Sequence, residues 1–230
     1  MILSINQPAY LPWPGYFDRL LKSDVHIVLD HVQYEKNSLV NRNRIRTKNG
    51  WTYLTVPIKT KGKFGNLPIF DLEISDLRFA KKHLTSIKQN YSKASYYANH
   101  IEFFEDVLTQ HWTRLAPLVK KTNDYFMAQF NIGSKIVYSS DLNVKGAKNE
   151  LILSLCRRFS AKSYISGPFG RDYLDLNAFK AHGINVSFHD YKPIVYRQVY
   201  TGFEPYMSSL DLLLNEGPGS VEFLYSSRID

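Results

Sequence analysis

Cysteine is nearly absent from this chain, and Cys156 stands alone. One cysteine excludes an internal disulfide and suits a reducing compartment. It closes the apolar helical run 150–156, a setting for a buried, inert thiol rather than a nucleophile. Long hydrophobic runs are missing too: none approaches the ~18 residues of a membrane-spanning helix. The N-terminus lacks the basic region, apolar core and small-residue cleavage site of a signal peptide, so a cytoplasmic protein is expected. The histidines at 26, 31, 83, 100, 111, 182 and 189 are scattered, with no HxxxH or CxxC spacing, and no metal or cofactor is expected. Walker A, GxGxxG and GxSxG patterns are absent, as are repeats, low-complexity tracts and linkers. The whole chain, 1–230, therefore reads as a single α/β domain.

Acidic residues are missing from one stretch in particular. Between Lys36 and Lys63 the charged residues are Lys36, Arg42, Arg44, Arg46, Lys48, Lys59, Lys61 and Lys63, so this segment alone matches the chain's net charge of +8. Such a patch favours an anionic partner: a nucleotide or nucleotide sugar, a nucleic acid, or an acidic membrane surface. A nucleic acid ranks below the small molecules because no RNA-binding signature accompanies it. A solvated basic face is the plainer alternative. Aromatic residues are abundant, with 16 Tyr and 14 Phe, and suit either a wide, partly polar pocket or a large aromatic core.

What the chain does have is concentrated at its start. An apolar run, Ile2 to Ile5, leads into a loop stiffened by Pro8, Pro12 and Pro14. Residues 16–22 keep helical spacing, and Gly15 near the helix start offers free first-turn N–H groups to an anion. Residues 25–30 form a second apolar run. Strand, helix, strand is a βαβ unit with a right-handed crossover, and near-continuous apolar strands suit a parallel sheet. Ligands of open α/β sheets bind beyond the carboxyl ends of strands. Asn6, Gln7, Tyr10 and Trp13 would then share one rim with Asp30, His31, Gln33 and Tyr34.

Further along, residues 51–58 and 67–74 read as strands and 77–130 as a helical insertion covering the sheet. Strands are expected at 135–138, 163–166 and 184–189, with another candidate at 193–199. Helices are expected at 149–159, 177–182 and 209–215. If 41–44 is extended, Arg42 and Arg44 share one face and Asn41 and Asn43 the other. The guanidiniums could hold a diphosphate while the amides read hydroxyls, the alternative being a basic edge strand. The glycine loop 166–173 could bring N–H groups and Arg171 to a phosphate, although a plain turn is the simpler reading.

The blocks Gln7-Pro8-x-Tyr10-Leu11-Pro12-Trp13-x-Gly15-Tyr16-Phe17, Asp30-x-Val32-Gln33-Tyr34, Asn41-Arg42-Asn43 and Leu54-Thr55-Val56-Pro57 resemble the WbqC-like family. So do Tyr164-x-Ser166-Gly167, Tyr173-Leu174, Tyr196-x-Gln198 and Ser209-Leu210-Asp211-Leu212-Leu213. The family is found chiefly in bacterial clusters for O-antigen and other surface polysaccharides. The resemblance implies work on activated sugars; many relatives carry His where this chain has Asn6, so no essential histidine is implied there. The opening also resembles nucleotidylyltransferase-like proteins, and implies a mostly parallel sheet of that Rossmann-like type. Those proteins have Gly-His at the helix start where Gly15-Tyr16 stands here, so nucleotide binding is implied rather than adenylyl transfer.

The expected function is transfer of an acyl or aminoacyl group to a nucleotide-linked amino sugar. Arg42, Arg44 and Arg171 would hold the diphosphate, and Tyr10 and Trp13 would stack on base or sugar. Asn6 and Gln7 would orient polar groups, with Asp30 or His31 as base. A non-catalytic carrier of a nucleotide sugar or lipid-linked intermediate is the rival, and RNA binding, with charged tRNA as donor, the third reading.

Overall fold

The structure is a computed structural model describing residues 1–62, 65 and 67–224. Lys63 of the basic segment, with Phe64 and Asn66 of the loop expected there, lies outside the described residues.

A five-stranded parallel sheet organises the chain. Its strands are β1 (Ile2–Asn6), β2 (Val25–Val28), β5 (Lys135–Tyr138), β6 (Ser163–Ser166) and β7 (Asn185–Phe188). They lie side by side in the order β5-β2-β1-β6-β7, every neighbouring pair parallel. β2 is buried throughout and β1 at Leu3, Ser4 and Ile5, as expected of strands covered on both faces. Leu3, Ile5, Val25 and Ile27 pack on α5 (Lys148–Arg158) and α6 (Leu176–Ala181) through Leu151, Ile152, Leu155 and Phe179. Ser4 and His26 turn to the opposite face, towards α1 (Pro14–Leu21), where the Tyr16 ring meets His26 at 5.4 Å. α1 starts with Pro14 in its first turn, where the missing N–H costs nothing.

A second sheet is the antiparallel ribbon β3 (Arg42–Thr47) and β4 (Gly50–Thr55). Three helices separate it from β5: α2 (Arg78–Tyr91), α3 (Tyr97–Thr109) and α4 (Leu115–Gln129). These helices were expected to cover the sheet. Of the three, α4 meets α1 where Phe17 packs on Phe126 and Phe130 at ring separations of 5.5 and 5.3 Å. The buried helix α7 (Ser209–Glu216) anchors the C-terminal part. Its Asp211 carboxylate accepts hydrogen bonds from Tyr91 (2.8 Å), Tyr196 (2.6 Å) and Gln198 (2.9 Å).

Two expected strands are absent. Residues 67–74 carry a short 3-10 turn at Ile69–Asp71 and isolated bridges only. Their alternating apolar residues, Leu67, Ile69, Leu72 and Ile74, are buried in the core without a strand ladder. Residues 193–199 likewise bury Tyr196 and Gln198 towards Asp211 without pairing as a strand. β4 ends at Thr55, short of Pro57, whose ring could not have continued the ladder as a donor. Among the described residues no helix is long and apolar enough to cross a membrane.

Candidate functional site

Numbered within the parallel sheet, the strand order runs 3-2-1-4-5, and its direction reverses between β1 and β6. Chains leaving those two strands part in opposite directions and leave a gap beyond their carboxyl ends. A crevice of about 540 Å³ occupies that place. One wall is Asn6, Gln7, Pro8 and Trp13 from the loop after β1, and another is Ser166, Gly167, Phe169 and Gly170 after β6. A slightly larger hollow of about 590 Å³, near Lys59, Glu73 and Arg114, lies away from the strand ends. Its charges are already paired: Lys59 with Glu73, and Arg114 with Asp71.

The proline loop forms a rigid wall because its backbone is fastened from three directions. The Tyr10 N–H donates to the Leu39 carbonyl (3.1 Å) and the Ser209 N–H to Pro12 (2.7 Å). The Asn43 amide donates to the Leu11 carbonyl (2.8 Å). Leu11 has φ +45°, a left-handed conformation that a branched side chain rarely adopts, and these three bonds hold it there. Trp13 folds back over Gly15: a Cβ at Gly15 would come within 2.6 Å of the indole and 2.7 Å of the Tyr191 ring. The start of α1, expected to face an anion, is therefore packed beneath two aromatic rings.

The charged group in the crevice is Arg19 of α1, which the sequence reading passed over. It is only 5% exposed, and among the described residues its Nε has no hydrogen-bond partner. Its terminal nitrogens lie against Gly167, where a Cβ would come within 3.3 Å of Nη1. The adjacent Asp18 carboxylate bonds His189 (2.5 Å) and Lys22 (3.0 Å) instead. Burial pushes the Arg19 pKa down, while Tyr164, Tyr16, Asp18 and Tyr173 push it back up. A guanidinium nearly out of water and, among the described residues, without a carboxylate on its fork suits an incoming anion. The lining contains no Asp, Glu or His, and among the described residues no cluster of three or more His, Cys, Asp or Glu side chains could hold a metal.

Of the residues singled out from sequence, Asn6, Gln7 and Trp13 line this crevice. Tyr10 is fully buried and its hydroxyl meets His83 Nδ1 at 3.0 Å. Asp30 and His31 stand at the end of β2, on the side of β5. The Asp30 carboxylate accepts from the Ser139 hydroxyl (3.0 Å), the Ser140 N–H (2.8 Å) and the Ser140 hydroxyl (2.8 Å). His31 Nδ1 lies 2.7 Å from the same Ser139 hydroxyl. Gln33 receives the Leu67 N–H at 2.9 Å.

Asn41 takes the Tyr34 hydroxyl at 2.9 Å and donates to Val56 at 2.7 Å. Arg42 and Arg44 share one face of β3, as alternation requires, but lie outside the crevice lining, stacked over Tyr53 and Trp51. Arg171 stacks over Phe188 at 4.5 Å, beside the crevice loop.

Comparison with known proteins agrees with the motif reading. No solved structure matches the chain. It is 34% identical to the uncharacterized protein Rv1507c of Mycobacterium tuberculosis (strain ATCC 25618 / H37Rv) over 228 residues, covering 98% of each chain. The profile of the WbqC-like protein family matches residues 7–223, from the proline loop to the turn after α7. The chain belongs to the WbqC-like protein family.

Proposed function

We propose that the crevice between β1 and β6 binds the anionic part of a nucleotide-linked sugar. On this reading the chain transfers an acyl or aminoacyl group to an amino sugar so carried, during synthesis of a bacterial surface polysaccharide such as O-antigen. The observation that carries the proposal is Arg19, a buried guanidinium with no ion pair among the described residues, in the crevice where the strand order reverses. That strand order supports assigning the sheet to the Rossmann-like type, in which nucleotides bind at such a reversal. The polysaccharide context follows from the family resemblance.

In this reading Arg19 takes the diphosphate, with the turn that begins at Gly167 packed beside its guanidinium. Trp13 covers base or sugar, and Asn6 and Gln7 orient hydroxyl or amide groups. The amine nitrogen attacks the acyl carbonyl, the new C–N bond replaces the bond to the donor, and the amine proton passes to a base. Asp30 or His31 serves as that base for a sugar extended along the rim past Leu29, which also lines the crevice.

A second reading, a carrier that positions the nucleotide sugar without transferring anything, is favoured by one observation: no carboxylate or imidazole lines the crevice. Mass spectrometry after incubating the protein with nucleotide-linked amino sugars and acyl or aminoacyl donors separates the two. A mass gain on the sugar is the result expected of the transferase. Thermal stabilisation by the sugar nucleotide without mass gain supports the carrier, and neither effect contradicts both.

A further inference from the structure

The β3–β4 ribbon carries chemistry that the crevice does not use. Arg42 lies over the Tyr53 ring with its guanidinium carbon 4.3 Å from the centroid, and Arg44 over Trp51 at 5.0 Å. The two rings meet edge to face at 5.2 Å. This is an exposed surface: Trp51 is 44% and Tyr53 37% accessible. Neither arginine forms an ion pair among the described residues, and Arg42 bonds only the Asn37 carbonyl and side chain. No Asp or Glu occurs between residues 36 and 63, and the exposed Lys36, Lys48 and Lys61 extend the same basic segment.

We infer that this ribbon face binds single-stranded RNA. Stacking on an aromatic ring holds a guanidinium plane in place, so that its outer face can receive a base and its edge can reach a phosphate. Alternation along β3 sets Arg42 and Arg44 roughly 6.6 Å apart on one face, a row of cations rather than a single pocket. Alternating aromatic and basic groups are what sequence-tolerant single-strand binders present. A membrane surface fits less well, because both exposed rings are engaged with guanidiniums rather than free to enter lipid. The opposite face of the strand is anchored: Asn43 holds Leu11, and Ile45 and Leu54 are in the core. The ribbon is therefore a rigid platform.

The test is fluorescence anisotropy of the full chain with labelled single-stranded RNA of about 12 nucleotides, within the usual range of single-strand site sizes, over a series of salt concentrations. Salt-dependent binding is expected. The Arg42→Ala/Arg44→Ala variant should flatten the slope of log affinity against log salt by about 1.4, the value for two lost phosphate contacts.

Trp51→Ala should weaken binding about fivefold or more with the slope kept. Arg44→Lys, which preserves charge and leaves the core untouched, should keep the slope and lose affinity. Arg19→Ala should bind RNA as the parent does, which separates this inference from the crevice reading. Absence of RNA binding at low salt, or parental affinity and slope in the double variant, overturns it. So does tighter binding to phosphatidylglycerol vesicles than to RNA with the same dependence on Arg42 and Arg44.

Discussion

Arg19 sits one residue from Asp18, and both are buried in the same short helix. On sequence grounds such a pair belongs to a solvated helix face. Here His189 bonds the Asp18 carboxylate and Gly167 lies against the Arg19 guanidinium, so Asp18 is fully buried and Arg19 nearly so. His189 and Lys22 hold Asp18, and Arg19 is left for the crevice. Beneath it, His26 is buried with Nδ1 2.8 Å from the Ser4 hydroxyl and, among the described residues, no partner at Nε2. Burial first, then Arg19, lowers its pKa to about 3; burial likewise lowers His83 to about 4.

An unfolded imidazole titrates near 6.5, so below that pH the unfolded chain binds protons that the folded chain refuses. The stability these two histidines contribute is fully present above about 6.5 and is lost as pH falls towards 4 and then 3, at up to roughly 1.4 kcal/mol per pH unit for each. Urea denaturation at pH 7 and pH 5 should show the parent chain markedly less stable at the lower pH, and His26→Asn should reduce that difference. An unchanged difference in the variant would remove His26 from the account.

At the scale of elements, the proline loop is a wall only because β3 and α7 hold its carbonyls. Asn43→Ala would strand the Leu11 carbonyl in a buried setting and release a strained left-handed residue. We expect a loss of about 1–3 kcal/mol of stability by chemical denaturation, together with weaker ligand binding in the crevice, since the loop supplies Gln7 and Trp13. A loss of stability with unchanged ligand affinity would mean that the loop keeps its shape without this bond. The Asp30 clamp works similarly for the neighbouring strands. Three hydrogen bonds from Ser139 and Ser140 join the end of β2 to the turn after β5, so Asp30 has a structural duty whether or not it also takes a proton.

For the whole molecule, the sheet was legible because β1 and β2 are short, mainly apolar runs and β5, β6 and β7 are short β-rich segments, all separated by helical spacing and turn residues. The crevice was legible in part: Asn6, Gln7 and Trp13 follow the first strand, and a parallel sheet directs that loop to the ligand-binding edge. What could not be read is whatever depends on residues distant in sequence. Arg19 lines the crevice only because α1 and the turn at Gly167 meet in the fold. Tyr10 looks like a stacking platform until His83 of α2 takes its hydroxyl. Residues 67–74 and 193–199 mimic strands because burial at alternate positions can arise from side chains meeting a core or a buried Asp211 without any ladder.

Arg19 is the proposed anion receptor of the crevice, and calorimetric titration of uridine- and thymidine-diphosphate sugars into the parent chain and Arg19→Ala tests that role most directly. One hydrogen-bonded charge is worth about 1.5–3 kcal/mol, so affinity should fall at least tenfold in the variant while its melting temperature holds or rises. Parental affinity in Arg19→Ala would contradict the account.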